Sequence, residues 1–455
     1  MQVSVKDCFS DPILNVMNFL NEVVLDYPQA ISFAPGRPAE DFFNVEDSLG
    51  EIQDFVRYRA ARKKWSEEKV YADLGQYNKT NGIIQELIAE QLKLDEGIEV
   101  DPSSILVTSG CQEGMAILLA GLFDPARDVL LSSDPTYIGI TGLAKILGVP
   151  VHPLPCGEHG LEPEVVERAV AEVRSQGKNP RALYDVPDFN NPLGTSMPLE
   201  SRQKILDIAR REDVLVFEDN PYGMFAYDGE SRPTLKSLDR HRSVIYLGSF
   251  SKTLFPGLRV GFLVVDQECR VEGSPADAAK TSPLVEVLSQ VKSLTTVNTP
   301  PLLQAVVGGT LVRSGGSLKP LMKEKIAFYG ANRDHMLAAL EQRFGAGSEI
   351  AAAGYGGKVT WNRPEGGFFM TMDLPFEFDV RALRTCAAEY GVIVSPVSFF
   401  ALSPGRERQI RLAFSYVTPE QIDQGIERLA GFIGARLEEL GEEMGEPVKE
   451  KESVV

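Results

Sequence analysis

Between about residues 100 and 265, short apolar runs alternate with helical segments, and this alternation restricts the fold more than any other feature of the chain. The strand candidates are Ile105–Val107, Val129–Leu131, Val151–Leu154, Ala182–Tyr184, Val214–Phe217, Val244–Leu247 and Val260–Val265. Helical segments such as Gln112–Leu122, Glu164–Ala171 and Leu199–Arg211 lie between them. Such a pattern predicts an α/β fold with a mainly parallel sheet covered by helices on both faces. Ligands in such folds gather beyond the carboxyl ends of the strands, so the residues just after each strand carry the search for chemistry.

The flanking regions read differently. Ile13–Val24 has the apolar spacing of a short amphipathic helix, and Ile31–Pro38 is dense enough in Pro and Gly to be an ordered loop. The charged stretch Arg57–Lys69 predicts an exposed helix. Residues 300–345 predict long helices able to link two domains, and Gly366–Met372 and Ile410–Ser415 read as strands of a smaller α+β unit. The expected division is an N-terminal arm with part of the small domain at 1–70, a large domain at 71–300, linking helices and a small domain at 301–435, and a flexible acidic tail at 436–455. The formal charge, 46 − 64 = −18, argues against a nucleic-acid or anionic-membrane partner. Cys8, Cys111, Cys156, Cys269 and Cys386 are scattered without a CxxC, which predicts reduced thiols and neither a metal site nor a disulfide framework. No signal segment or membrane span is visible, so a cytoplasmic protein is expected.

Four stretches end strands with chemistry. Ser249-Phe250-Ser251-Lys252 follows Val244–Leu247 and precedes Arg259, combining an amine able to form a Schiff base with hydroxyls and a fork-shaped cation suited to a phosphate. Thr108-Ser109-Gly110-Cys111-Gln112 is a small-residue turn opening a helix, a natural phosphate cradle but also the form of an ordinary turn. Asp219 stands one residue past Val214–Phe217, after Glu218; buried there, a carboxylate calls for a cation, although a helix N-cap is an equally ordinary use. Asn190-Asn191-Pro192 follows Ala182–Tyr184 and offers amide donors, or a plain turn.

In this order, Asn191-Pro192-Leu193-Gly194, Asp219-Asn220-Pro221-Tyr222, Ser249-Phe250-Ser251-Lys252 and Arg259 resemble the signature of the class I/II aminotransferases, which are fold-type-I enzymes dependent on pyridoxal 5'-phosphate (PLP). The resemblance covers roughly residues 30 to 430. It is nearest to the 2-aminoadipate and aromatic aminotransferase subgroup, and Met17–Glu22 with Ala30–Pro38 further resembles dihydroxyphenylglycine aminotransferases of glycopeptide (antibiotic) biosynthesis. It implies a PLP-dependent transfer of an amino group between an L-amino acid and a 2-oxo acid, aromatic or bulky. By position, Lys252 would hold the Schiff base and move the α-proton. Asp219 would pair with the pyridine nitrogen, Asn191 and Tyr222 would donate to the ring oxygen, and Tyr137 would stack on the ring. Ser249, Ser251, Arg259, Cys111 and Gln112 would hold the phosphate, and Tyr77 would reach the phosphate of the other subunit of a homodimer. Arg411 would grip the substrate carboxylate.

The chain also departs from the family. Cys111 stands where serine is common, and Thr80-Asn81-Gly82-Ile83-Ile84-Gln85 replaces a pattern that ordinarily carries an arginine. Arg37, beside Gly36, could meet a distal polar group of the substrate or simply face solvent. The same scaffold could divert the reaction to elimination or replacement, decarboxylation, or oxidation and cyclisation. A remote alternative is a non-catalytic aminotransferase-like sensor in a transcription regulator, disfavoured because only 30 residues precede the core. Gly354–Thr360 echoes a nucleotide loop but lacks the hydroxyl residue after Lys358.

Overall fold

The computed structural model describes residues 3–230, 232–270 and 281–443. After the short strand β1 (Ile31–Ser32), the expected alternation forms β2 (Ile105–Thr108), β3 (Asp128–Asp134), β4 (Val151–Pro155), β5 (Asn179–Asp185), β6 (Leu215–Asp219), β7 (Val244–Ser249) and β8 (Gly261–Val264). These seven make one sheet in the order β2-β8-β7-β6-β5-β3-β4, parallel except for β8, which runs against both neighbours. Ile105, Leu106 and Val107 are fully buried, each contributing about 1.5–3 kcal/mol by leaving water, which is why the strand reads as an unbroken apolar run. The helices Cys111–Leu122, Pro163–Ser175 and Leu199–Arg211 fall where the sequence placed them.

A two-stranded ladder of β9 (Glu268–Cys269) and β10 (Ser282–Pro283) lies beyond the main sheet. The second apolar cluster is built around β11 (Thr360–Trp361), β12 (Phe369–Asp373), β13 (Val392–Ile393), β14 (Ser395–Pro396) and β15 (Gln409–Ala413). Four of these form an antiparallel sheet in the order β11-β12-β15-β14, while β13 pairs in parallel with β1. The loop expected at Ile31–Pro38 therefore begins as a strand, because the main chain at Ile31 and Phe33 donates to Gly391 and Ile393. Gly366 and Gly367 form a turn before β12 and lie outside the strand itself.

The 26-residue helix Lys319–Phe344 joins the two clusters. Met322 and Tyr329 pack in the cluster of the large sheet, whereas Met336, Leu340 and Phe344 pack in the second. Steps of seven and four keep all five on one stripe. The charged stretch 57–69 is not one exposed helix. Ser48–Lys63 stops where Lys64 turns left-handed (φ 54°), and the Ser66 hydroxyl accepts from the Lys69 amide to start Glu67–Leu74. Phe55, Val56 and Ala60 are buried, and Gly309 on the helix Pro301–Arg313 lets that helix approach closely: a Cβ there would lie 1.8 Å from the Glu51 carbonyl oxygen. The last helix, Pro419–Glu443, enters the stretch expected to be a tail, with Leu437 buried; residues 444–455 lie outside the described residues.

Candidate active site

A cavity of about 610 Å³ opens where β6 and β7 end and where β12, β15 and the segment after β1 face them. It is lined by Lys252, Asp219, Tyr222, Cys111, Gln112, Tyr137, Asn191, Ser249, Ser251, Arg259, Gly36, Arg37 and Arg411, which is every residue singled out in the sequence except Tyr77. Tyr77 stands on the surface, 79% exposed, and does not line this cavity.

Each side chain on the sheet side has a local reason for its place. Asp219 is the last residue of β6 and is buried; the Tyr184 hydroxyl of β5 donates to its Oδ2 (2.7 Å), while Oδ1 has no hydrogen-bond partner. Burial pushes this carboxyl up to about 6, and the Tyr184 hydrogen bond works against that rise. Gly110 (φ 80°) lets the chain turn from β2 into the helix that begins at Cys111, leaving the first amides of that helix facing the cavity. The Cys111 thiol donates to the Gly248 carbonyl (3.2 Å), and burial holds its pKa well above the usual thiol range. The Tyr137 hydroxyl donates to Gln112 Oε1 (3.1 Å). Ser249 ends β7, and its hydroxyl accepts from the Ser251 amide (3.1 Å); Arg259 Nη1 reaches the Ser251 hydroxyl at 3.4 Å.

Lys252 projects from the short helix Phe250–Thr253, with Nζ donating to the Gly36 carbonyl (2.7 Å). Burial, then the neighbouring Arg411, Arg259 and Arg37, lower its pKa to about 8. Arg411, from β15, is buried with its guanidinium carbon 4.5 Å from the ring centres of both Phe369 and Phe400. Its Nη1 donates to Asn191 Oδ1 (2.6 Å) and its Nη2 to the Ala34 carbonyl, whereas Nε is buried without a partner. Asn191 thereby commits its oxygen to the arginine and keeps its NH₂ as a donor.

The remaining wall is apolar: Leu20 and Val24 from the N-terminal helix Val16–Asp26, with Ile138 and Phe400. Sequence reasoning missed these, and it missed Tyr184 and Phe369. Tyr184 was legible in principle, as a tyrosine in the apolar second half of β5 whose buried hydroxyl must find a partner. The others carry no local signal, since only the tertiary fold brings positions 20, 138, 369 and 400 together.

The family model for aminotransferase class I and II matches residues 55–429. The chain belongs to this family. Among similar proteins, the (S)-3,5-dihydroxyphenylglycine transaminase of Amycolatopsis orientalis is 41% identical over 428 residues, covering 94% of this chain and 93% of that protein. Aromatic-amino-acid aminotransferase 1 of Thermococcus litoralis is 31% identical over 412 residues, covering 90% and 89%. The crystal structure of Pyrococcus horikoshii kynurenine aminotransferase in complex with PMP superposes with a TM-score of 0.76 at 30% identity, covering 96% of each chain. As an aminotransferase of fold type I, the chain uses PLP.

The residues present fit that cofactor. Asp219 Oδ1, orphaned and buried at the cavity floor, lacks only a cationic N–H donor, which a protonated pyridine supplies. Amides at a helix start, two serines and Arg259 stand together at the end suited to a phosphate dianion. Among the described residues no group of three or more His, Cys, Asp or Glu side chains could hold a metal, and no helix is long and apolar enough to cross a membrane.

Proposed function

We propose that this aminotransferase takes an aromatic or similarly bulky amino acid, acting as a cytoplasmic homodimer in specialised metabolism such as antibiotic assembly. The observation that carries the substrate reading is the contrast inside the cavity. Arg411 stands ready for a carboxylate, and the wall of Leu20, Val24, Ile138 and Phe400 is apolar. The names of the Amycolatopsis and Thermococcus relatives support the same class.

Bound PLP supplies an aldehyde carbon that exchanges amines and a cationic ring that draws off the electrons left at the substrate's α-carbon. Asp219 Oδ1 would keep the proton on the ring nitrogen. Asn191 Nδ2 and the Tyr222 hydroxyl would donate to the ring oxygen, and Tyr137 would stack on the ring. Ser249, Ser251, Arg259 and the first amides at Cys111 and Gln112 hold the phosphate. Lys252 Nζ is the amine that would hold the cofactor and accept the substrate's α-proton; a pKa of about 8 makes it a base matched to near-neutral pH. Arg411 Nε, with a neighbouring N–H of the same fork, orients the substrate carboxylate. Arg37 lines the cavity and would meet a distal polar group, and Gly36, whose carbonyl accepts from Lys252, borders the same space. Tyr77, exposed in one chain, is assigned to the partner's phosphate. The division at 1–70, 71–300 and 301–435 belongs to this reading; the two apolar clusters support two domains, but residues from 39 to 60 and from 305 to 329 pack with the large sheet.

The test is to add single amino acids to the purified yellow protein without an acceptor, with Lys252→Ala as control. Stoichiometric 2-oxo acid, formed best from aromatic donors, is expected. Preference for small or acidic donors would overturn the substrate class, and release of ammonia or carbon dioxide in place of transfer would overturn the reaction. Sedimentation at a monomer's mass would overturn the dimer.

A further inference from the structure

Behind the turn Ser109–Gln112 lies a buried charge pair that the catalytic reading does not use. Glu113, the third residue of the helix, folds its carboxylate back so that Oε2 accepts from the Ser109 amide (2.6 Å) and from Lys292 Nζ (2.8 Å). Its Oε1 accepts from the Thr296 hydroxyl, which Lys292 also reaches at 3.1 Å. The Lys292 side chain is fully buried and that of Glu113 is 9% exposed, so solvent does little to screen either charge. Burial lowers the Lys292 pKa, and Glu113 pulls it back up.

This arrangement poses an electrostatic problem for the site it supports. A helix start that binds a phosphate dianion gains from its own positive dipole end, and an unpaired carboxylate in its first turn would oppose the ligand. A carboxylate is nonetheless useful here, because it fixes the Ser109 amide and with it the path of the turn through Gly110. Lys292 resolves the conflict by bringing a compensating charge from the neighbouring helix Leu284–Thr295. We propose that Glu113 and Lys292 are a positioning pair for the cofactor phosphate: Glu113 shapes the cradle, and Lys292 cancels the repulsion that this shaping would otherwise direct at the phosphate.

The inference rests on the reading of Ser109–Gln112 as the phosphate cradle, and its test separates the two. The readout is the ratio of affinities of the cofactor-stripped full chain for PLP and for pyridoxal, which lacks the phosphate, measured by absorbance titration. Arg259→Ala tests the cradle and should lower the ratio. Lys292→Met should lower it roughly tenfold by leaving the carboxylate uncompensated. Glu113→Gln keeps an acceptor for the Ser109 amide while removing the negative charge, so the ratio should hold or rise. The double variant Glu113→Gln/Lys292→Met should recover most of the wild-type ratio. A merely structural pair would give losses of the same sign in both single variants and none of that recovery, and such a result overturns the proposal. If Lys292→Met does not fold, a tenfold loss in Glu113→Gln overturns it alone. A ratio that responds to Arg259→Ala but to neither member of the pair rejects the pair and keeps the cradle; a ratio unmoved by Arg259→Ala rejects the cradle, and the pair's role with it.

Discussion

The two walls of the cavity are built on different plans. On the sheet side, Asp219, Ser249 and the turn at Gly110 sit at the ends of buried strands, and most polar atoms there are tied down: Tyr184 to Asp219, Ser249 to Ser251, Tyr137 to Gln112. On the opposite side, Leu20 and Val24 come from a helix outside the large sheet; Leu20 packs with Ile138 and Phe400 through apolar contact, and Val24 lines the same cavity. Directional bonds fix where charge and protons go, which suits atoms common to every turnover. Apolar contact is non-directional and tolerates substitution, which suits the part of the substrate that varies between relatives. On the proposed reading, reaction type and substrate choice are thus carried by structures of unlike stiffness.

Substitutions should divide along the same line. The largest effect is expected from Lys252→Ala, which removes both the attachment point and the base. Turnover should fall roughly 10,000-fold for every donor alike, measured as single-turnover 2-oxo acid formation. Asp219→Asn should cost roughly 100- to 1,000-fold, again independently of the donor's side chain, because it weakens the charge that holds the ring proton. A loss confined to bulky donors would break the comparison. Leu20→Ala should lower kcat/KM for an aromatic donor about tenfold and leave alanine as donor almost unchanged. Equal losses for both donors would show that the N-terminal helix shapes the chemistry as well as the fit.

The smallest effect concerns pH. On the proposed reading Lys252 would react with the cofactor as the free amine, and its pKa is lowered to about 8, chiefly by burial. The rate of PLP capture by the cofactor-stripped chain should therefore rise with pH and level off above about 8. A rate still climbing at about pH 10 would place this amine in ordinary solvent and separate it from the sheet-side wall.

The same divide decides how much was legible in the sequence. Strands β2, β3, β6, β7 and β8 and the second half of β5 were readable because burial on both faces demands apolar runs, and the residues after those runs announced Asp219, Asn191 and Lys252. The break at Lys64 was not, since a left-handed lysine has no compositional mark and Ser66 is a cap only once the chain turns there. Leu20, Ile138 and Phe400 looked like any core residues, because their shared cavity exists only in three dimensions. Glu113 and Lys292 looked like solvated charges 179 positions apart, and only their burial together distinguishes them from surface residues.

One strand pairing bears on how the protein is made. β2 lies at the sheet's edge and, among the described residues, β8 is its one strand partner, although β3 to β7 all intervene in the sequence. A ribosome delivers residues 105–108 long before residues 261–264, so this strand and the turn it carries into the helix at Cys111 wait unpaired while most of the sheet is synthesised. Cofactor capture therefore belongs to the late stages of biogenesis, and nascent chains that stop short of β8 should leave the ribosome colourless.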